Sequence, residues 1–285
     1  MTRNNGVEGA TPDTRNFSRR EVLGLIGATA AASLVAVGGE AAASAEQVQS
    51  AKRRVVKIDA KPEPLALDLA KTAVIVVDMQ NDFGSKGGMF DRAGLDISCI
   101  RKAIDPTAKV LAAARSAGIK VVYLKMAFRP DLSDLGPPNS PNHLRHKPFG
   151  VGNSVQAPDG RESQILIRDT WNTDIVDELK PQPADLVIYK HRFSGFFETD
   201  LDAKLKALGV QQLIITGCTT SVCVEATVRD AMFRDYSCLL LEDCMCQPTL
   251  GKSSPGSNHN SSLVLAEVFF GWVSKSEEFA RAVTT

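Results

Sequence analysis

Thr72-Ala73-Val74-Ile75-Val76-Val77, running straight into Asp78-Met79-Gln80-Asn81-Asp82-Phe83, decides how the rest of the chain is read. A mostly β-branched run with no polar alternation fits a strand buried on both faces, as in a parallel sheet. Outward from it, Ile104, Val110, Leu111 and Ala114 recur at helical spacing within Ile100–Ala117, and Gly118 stops that helix. Ile119–Met126 is the next strand. Further on, Asp185–Tyr189 reads as a strand, Leu201–Leu208 as a helix stopped by Gly209, and Gln212–Thr216 as a strand. Val222–Phe233 (helix), Cys238–Glu242 (strand) and Ser261–Phe270 (helix) complete the series. This alternation predicts an α/β fold, three α/β/α layers built on a doubly wound, mostly parallel sheet.

Composition narrows the function. The chain has 285 residues, with 33 Lys and Arg against 33 Asp and Glu. A net charge of zero lacks the basic excess of a nucleic-acid binder, so no nucleic-acid partner is expected. With 44% hydrophobic and 23% charged residues, the chain is neither a disordered tail nor a multi-span membrane protein. Six cysteines are too sparse in a chain this long to form a disulfide framework.

Residues 1–17 are polar, and Ser18-Arg19-Arg20-Glu21 then leads into an Ala- and Gly-rich apolar stretch, Leu23–Gly39. That stretch is short for a bilayer span and is followed by Ala43-Ser44-Ala45, the small-x-small pattern of a signal-peptidase site. Residues 1–45 resemble a twin-arginine signal peptide, with Arg19 and Arg20 as the pair and Ala45 as the last residue removed. The other reading is an alanine-rich helix of the mature protein. An export signal implies the twin-arginine machinery as a partner and a periplasmic or extracellular location. Its removal leaves the charge balanced, because Arg3, Arg15, Arg19 and Arg20 are matched by Glu8, Asp13, Glu21 and Glu40. Residues 46–71 read as an extended lead-in, and 72–285 as one domain.

One segment breaks the rhythm. Between Met126 and Asp185 lie Pro130, Pro137, Pro138, Pro141, Pro148 and Pro158, with little apolar periodicity. Residues 127–170 are expected to form a lid-like insertion over the site, the alternative being a disordered surface loop.

Ligands of doubly wound sheets bind outside the carboxyl ends of the strands, so the residues that follow each strand matter most. They are Asp78, then Lys190 in Lys190-His191-Arg192-Phe193-Ser194-Gly195, then Gly217-Cys218-Thr219-Thr220-Ser221-Val222-Cys223-Val224. Alone, Asp78 could be a turn residue, Lys190 a solvated strand end and Cys223 a small buried hydrophobe. Together they place an acid, an ammonium and a thiol on one edge. A helix start and a nearby Lys are expected to lower the thiol pKa, and a nearby Asp can move protons.

These three motifs, in this order over residues 70–275, resemble the isochorismatase-like cysteine hydrolase superfamily. The resemblance implies the isochorismatase-like hydrolase fold, Cys223 as nucleophile, Asp78 as proton shuttle and Lys190 as their electrostatic partner. It also implies a cis peptide between Cys218 and Thr219, and an oxyanion hole from the amides of Thr219 and Cys223. Vinyl-ether hydrolases of the superfamily lack the cysteine, so its presence favours carbon–nitrogen hydrolysis. Nicotinamidase-type members carry an Asp-x-His metal site, and none of His143, His146, His191 or His259 sits in such a pattern. His143 and His146 read as solvated loop histidines, and neither metal nor cofactor is expected.

Lys190–Asp202, Thr216–Asp230 and Phe269–Val273 look like ureidoacrylate amidohydrolases, whereas Arg129–Leu135 and Leu239–Cys244 look like biuret and triuret hydrolases. Both kinds of substrate contain a ureido group. For a substrate bearing a carboxylate, Arg129 is the candidate cation. Gln247 could hydrogen-bond the ureido group, and Phe83, Phe128, Trp171 and Phe196 could line the pocket. Other small amides, such as carbamoyl amino acids or nicotinamide-like compounds, are the nearest alternative. A non-catalytic binding protein, or a thiol-redox protein using Cys218, Cys223, Cys244 and Cys246, is the alternative of another class. The pairing state of Cys218, Cys238, Cys244 and Cys246 is left open by spacing alone. The resemblance implies a homo-oligomer, a dimer or tetramer.

Overall fold

The computed structural model describes residues 54–249 and 251–285. Arg19, Arg20 and Ala45 of the expected export signal, and the lead-in up to residue 53, lie outside the described residues.

Six parallel strands form the central sheet: β1 (Thr72–Val77), β2 (Lys120–Met126), β3 (Leu186–Lys190), β4 (Gln212–Cys218), β5 (Ser237–Cys246) and β6 (Trp272–Ser274). Their spatial order is β6-β5-β4-β1-β2-β3. The chain starts at the centre, moves outward through β2 and β3, returns to β4 and runs out the other way. That reversal sets the carboxyl ends of β1 and β4 side by side, with Val77 paired to Gly217, and opens the crevice where such sheets bind ligands.

All six residues of β1 are buried, as its unbroken apolar run requires. Val74 and Val76 face one core with Ile100, Ile104 and Leu111 of α1 (Ser98–Ser116) and Phe279 of α5 (Ser276–Thr284). Ile75 and Val77 face the other with Leu201 and Leu205 of α2 (Leu201–Ala207) and Val228 of α3 (Glu225–Met232). The same core takes in Leu263 of α4 (Ser257–Leu265) and Ala266 just beyond it. Each such side chain contributes about 1.5–3 kcal/mol on burial, and because successive strand residues point to opposite faces, one short strand joins both helical layers.

Four expectations change. The lead-in is not merely extended: Val55–Ile58 pairs antiparallel with Leu65–Asp68, burying Ile58 and Leu67, and Arg54 donates to the Val283 carbonyl of α5. β5 continues four residues past Glu242, to Cys246. The helix expected from Val222 opens as a π turn over Thr220–Val224 before α3. The insertion between β2 and β3 is structured, with a short helix over Pro141–His146 and a hairpin pairing Ser154–Gln156 with Glu162–Gln164.

The cysteines are also not uniformly free. Cys99, in the first turn of α1, is cross-linked to Cys246 at the end of β5, with Cα atoms 5.8 Å apart. Cys218, Cys223, Cys238 and Cys244 are free and buried. Spacing gave no sign of the pair, which is 147 residues apart.

Candidate active site

Asp78 is the first residue beyond β1. Its φ of 49° lies in the left-handed region, which Asp tolerates better than most side chains. Its Oδ1 accepts the Met126 amide of β2 at 2.9 Å, and its Oδ2 lies 2.7 Å from Lys190 Nζ. Lys190, the last residue of β3, is 0% exposed and the Asp78 side chain 1%, so water screens neither charge. The ammonium also donates to the Arg192 carbonyl at 3.2 Å and approaches Met126 Sδ at 3.7 Å.

Cys223 arrives from the other side of the crevice. Gly217 in β4 has a φ of +115°, and a Cβ there would fall 2.0 Å from the Val77 carbonyl oxygen. Only glycine lets β4 press this closely on β1. The peptide that follows, Cys218–Thr219, is cis, and Cys218 Sγ donates to the Asp78 carbonyl at 3.1 Å. The π turn then places the Cys223 thiol beside Asp78 and Lys190, near enough for both to act on its acidity. Three strand ends thus bring Asp78, Lys190 and Cys223 together.

Burial governs their acidity. It pushes Asp78 above the ordinary carboxylate value, against the pull of Lys190. Burial would depress Lys190, but the Asp78 and Cys223 charges outweigh it and hold the ammonium above its usual value. The Cys223 thiol is pushed up to about 12, because the loss of water costs its thiolate more than Lys190 returns. This corrects the expected lowered thiol. At rest the group is a neutral thiol beside a carboxylate held above its ordinary value.

A cavity of about 150 Å³ opens over Cys223. Phe83, Phe90, Phe149 and Phe193 are its aromatic lining residues, and Thr219, Gln247, Arg145 and His146 its polar ones. The Gln247 carbonyl oxygen accepts from the Ser221 amide at 3.2 Å and hydroxyl at 2.9 Å, which fixes its orientation beside the π turn. Of the residues expected to contact substrate, Phe83 and Gln247 line the cavity and the other four do not.

Phe128 is fully buried one layer back, edge-on to His146 with centroids 5.2 Å apart. Phe196 packs on Tyr236 at 5.8 Å, within the other core. Trp171 lies outside the cavity lining, and its carbonyl accepts the Asn81 side chain at 2.8 Å. Arg129 is exposed, its guanidinium 3.5 Å from Ser133 Oγ. Local sequence could not separate an aromatic that faces ligand from one that faces core. His146, expected to be a solvated loop residue, is buried.

Two further residues of the first motif shape the site. Gln80, fully buried, donates to the Met126 carbonyl at 3.0 Å and the Thr173 carbonyl at 3.2 Å. Asp82 accepts the Met89 amide at 2.9 Å and the Leu166 amide at 2.7 Å, and also the Asn172 side chain. The loop after β1 therefore supplies the carboxylate of the site and pins the insertion that roofs it. A second acid four residues after Asp78 was the available signal, but spacing alone does not say which segment it would hold. Among the described residues no group of three or more His, Cys, Asp or Glu side chains could hold a metal ion.

Similarity to known proteins follows the same boundaries. Residues 72–278 match the model of the isochorismatase domain. The chain is 42% identical over 228 residues to the ureidoacrylate amidohydrolase RutB of Methylobacterium radiotolerans, covering 80% of this chain and 85% of that protein. It is 39% identical over 236 residues to RutB of Methylorubrum extorquens, covering 83% and 92%. The crystal structure of a cysteine hydrolase from Pseudomonas syringae pv. phaseolicola superposes with a TM-score of 0.65 at 30% identity, over 82% of this chain and 98% of that one. With the domain matched across the sheet and all three strand ends, the chain belongs to the isochorismatase family.

Proposed function

We propose that the chain is a cysteine-dependent amidohydrolase that cleaves a carbon–nitrogen bond of a small ureido compound through an acyl-enzyme. The supporting observation is the Cys223 thiol at the base of a small cavity, in contact with a buried carboxylate–ammonium pair. Asp78 takes the thiol proton, and the Cys223 sulfur attacks the ureido or amide carbonyl. The amides of Thr219 and Cys223 are assigned to the oxyanion. Asp78 returns the proton to the departing nitrogen as the carbon–nitrogen bond breaks. Water, giving a proton to Asp78, then adds to the thioester, and the sulfur leaves and is reprotonated. Lys190 stays protonated throughout and offsets the negative charge shared by Asp78 and the sulfur.

The ureido assignment rests on similarity to proteins described as ureidoacrylate amidohydrolases and on a cavity suited to a small molecule. Ammonia release from ureidoacrylate, biuret, triuret, carbamoyl amino acids and simple amides tests it. Wild type is expected to act on at least one ureido compound and Cys223→Ala on none. No ammonia from any of them, released directly or through carbamate, would overturn the reading.

Export by the twin-arginine route belongs to the same proposal. The Cys99–Cys246 disulfide supports it, since such cross-links persist mainly in oxidising compartments. Replacing Arg19 and Arg20 with Lys is expected to leave the protein in the cytoplasm, as read by fractionation. A homo-oligomer is proposed on the apolar surface of Val264, Val268 and Phe269, each more than half exposed, and sedimentation would measure it.

A further inference from the structure

The short helix Pro141–His146 in the insertion offers the cavity two unlike polar groups from adjacent residues. Arg145 is the one charged side chain among the cavity's lining residues, and no Asp or Glu is among them. Its guanidinium meets no carboxylate among the described residues. Most other arginines near the site are already engaged: Arg168 with Asp134 at 2.9 Å, Arg192 with the Asp134 and His191 carbonyls at 2.8 and 2.6 Å. A lone cation in the lining of a mostly apolar pocket is arranged for an anion brought by the ligand.

His146 is different in kind. Its Nδ1 lies 2.7 Å from the Asn142 carbonyl oxygen, and a carbonyl can only accept, so Nδ1 holds the ring proton. Burial, with Lys190 and Arg192 nearby, lowers its pKa and keeps the ring neutral. Nε2 is therefore a bare acceptor, and it has no protein partner among the described residues. Phe128 and Phe193 pack against the ring at 5.2 and 5.7 Å and hold its orientation. A ureido group is rich in N–H donors and matches such an acceptor.

We propose that Arg145 and His146 are the specificity-determining pair, and that the preferred substrate is a small ureido acid: its carboxylate pairs with Arg145 while His146 Nε2 accepts a ureido N–H. The inference rests on the amidohydrolase reading and deepens it, since it separates ureido acids from neutral compounds such as biuret. At about 150 Å³ the cavity holds roughly five water volumes, room for a short acyclic acid. Arg145 takes the role that sequence alone offered to Arg129.

The test measures binding, so it does not depend on turnover. Calorimetric titrations of a saturated ureido acid, 3-ureidopropionate, and of its neutral primary amide are made into Cys223→Ser protein. The acid is expected to bind at least about 10-fold more tightly than the amide. Adding Arg145→Gln is expected to collapse that preference to within about 2-fold, with Arg145→Lys restoring much of it. His146→Phe keeps the ring stack and removes the acceptor, so acid and amide should weaken together by about 10-fold, with partial rescue by His146→Gln. An acid preference unchanged in Arg145→Gln, or no acid preference at all, overturns the proposal. If wild type hydrolyses no ureido compound while Arg145→Gln still abolishes the preference, the amidohydrolase reading and the substrate assignment fail, and only the carboxylate-binding role of Arg145 stands. If wild type hydrolyses biuret and ureido acids equally and Arg145→Gln changes neither titration, the reverse holds.

Discussion

The base of the cavity and its roof are built by opposite means. Asp78 and Lys190 sit at strand ends, and Cys223 five residues beyond one, in a sheet whose register allows them little freedom. Arg145, His146, Phe149 and Leu166 come instead from the long connection between β2 and β3. That connection is tied to the rest of the molecule by side-chain and loop bonds rather than by sheet register: the Asp82 contacts, the Asn81 bond to Trp171, the Gln80 bond to Thr173, and Arg192 with the Asp134 carbonyl. The sheet edge can therefore keep one chemistry while the roof varies the ligand. Variants of the base should abolish catalysis, and those of the roof and its ties should mostly change affinity and stability.

Cys223→Ala should give the largest effect, a loss of about 10⁴-fold or more in kcat, with the circular dichroism spectrum unchanged. A smaller loss would mean that the base does not carry the reaction. Lys190→Met comes next. It leaves the buried Asp78 carboxylate without its counter-charge and is expected to cost about 3–5 kcal/mol of stability in a urea melt. Because Lys190 pulls the Asp78 pKa down, the milder Lys190→Gln should move the acid limb of kcat/KM to higher pH. In wild type that limb should already lie above the ordinary aspartate value of 3.8, since activity falls as Asp78 takes a proton.

Cys99→Ser tests a tie between α1 and the strand that ends beside Gln247. Opening a cross-link between residues 147 apart is expected to cost about 2–5 kcal/mol, read as a lower urea midpoint. Asp82→Asn comes last, because its effect exists only over part of the pH range. Burial raises Asp82 from 3.8 to about 6, so the folded state binds that proton more tightly than the unfolded chain. The stability this provides is complete below pH 3.8 and is lost as pH rises through 6. At about 1.4 kcal/mol per pH unit, wild type should lose about 3 kcal/mol relative to Asp82→Asn across that interval. A pH-independent difference between the two proteins would remove Asp82 as the tie.

The same contrast explains what the sequence could convey. Val74–Val77 can only be a doubly buried strand, and Asp78, Lys190 and Cys223 stand within a few residues of such runs, so fold and trio are written locally. The roof is not. Whether Phe128 or Phe193 faces the ligand depends on how proline-rich chain folds back over the sheet, and no periodicity records that path. His146 became legible only through the Asn142 carbonyl that fixes its tautomer. The acidity of Cys223 misled for a related reason: proximity to Lys190 was readable, whereas the depth of burial that outweighs it was not.

The Cys99–Cys246 bond sets a condition on the rest of the molecule. One chain must keep two sulfurs oxidised and a third reduced, with the oxidised pair ending next to Gln247 in the cavity lining. A thiol raised to about 12 is almost wholly protonated in neutral solution and attacks disulfides slowly. In the proposed mechanism its reactivity appears only when Asp78 draws off the proton toward a bound substrate. Under the proposed export, the burial that makes Cys223 sluggish is also its protection against oxidation. A reductant added to a preparation to guard that sulfur would instead sever the neighbouring cross-link.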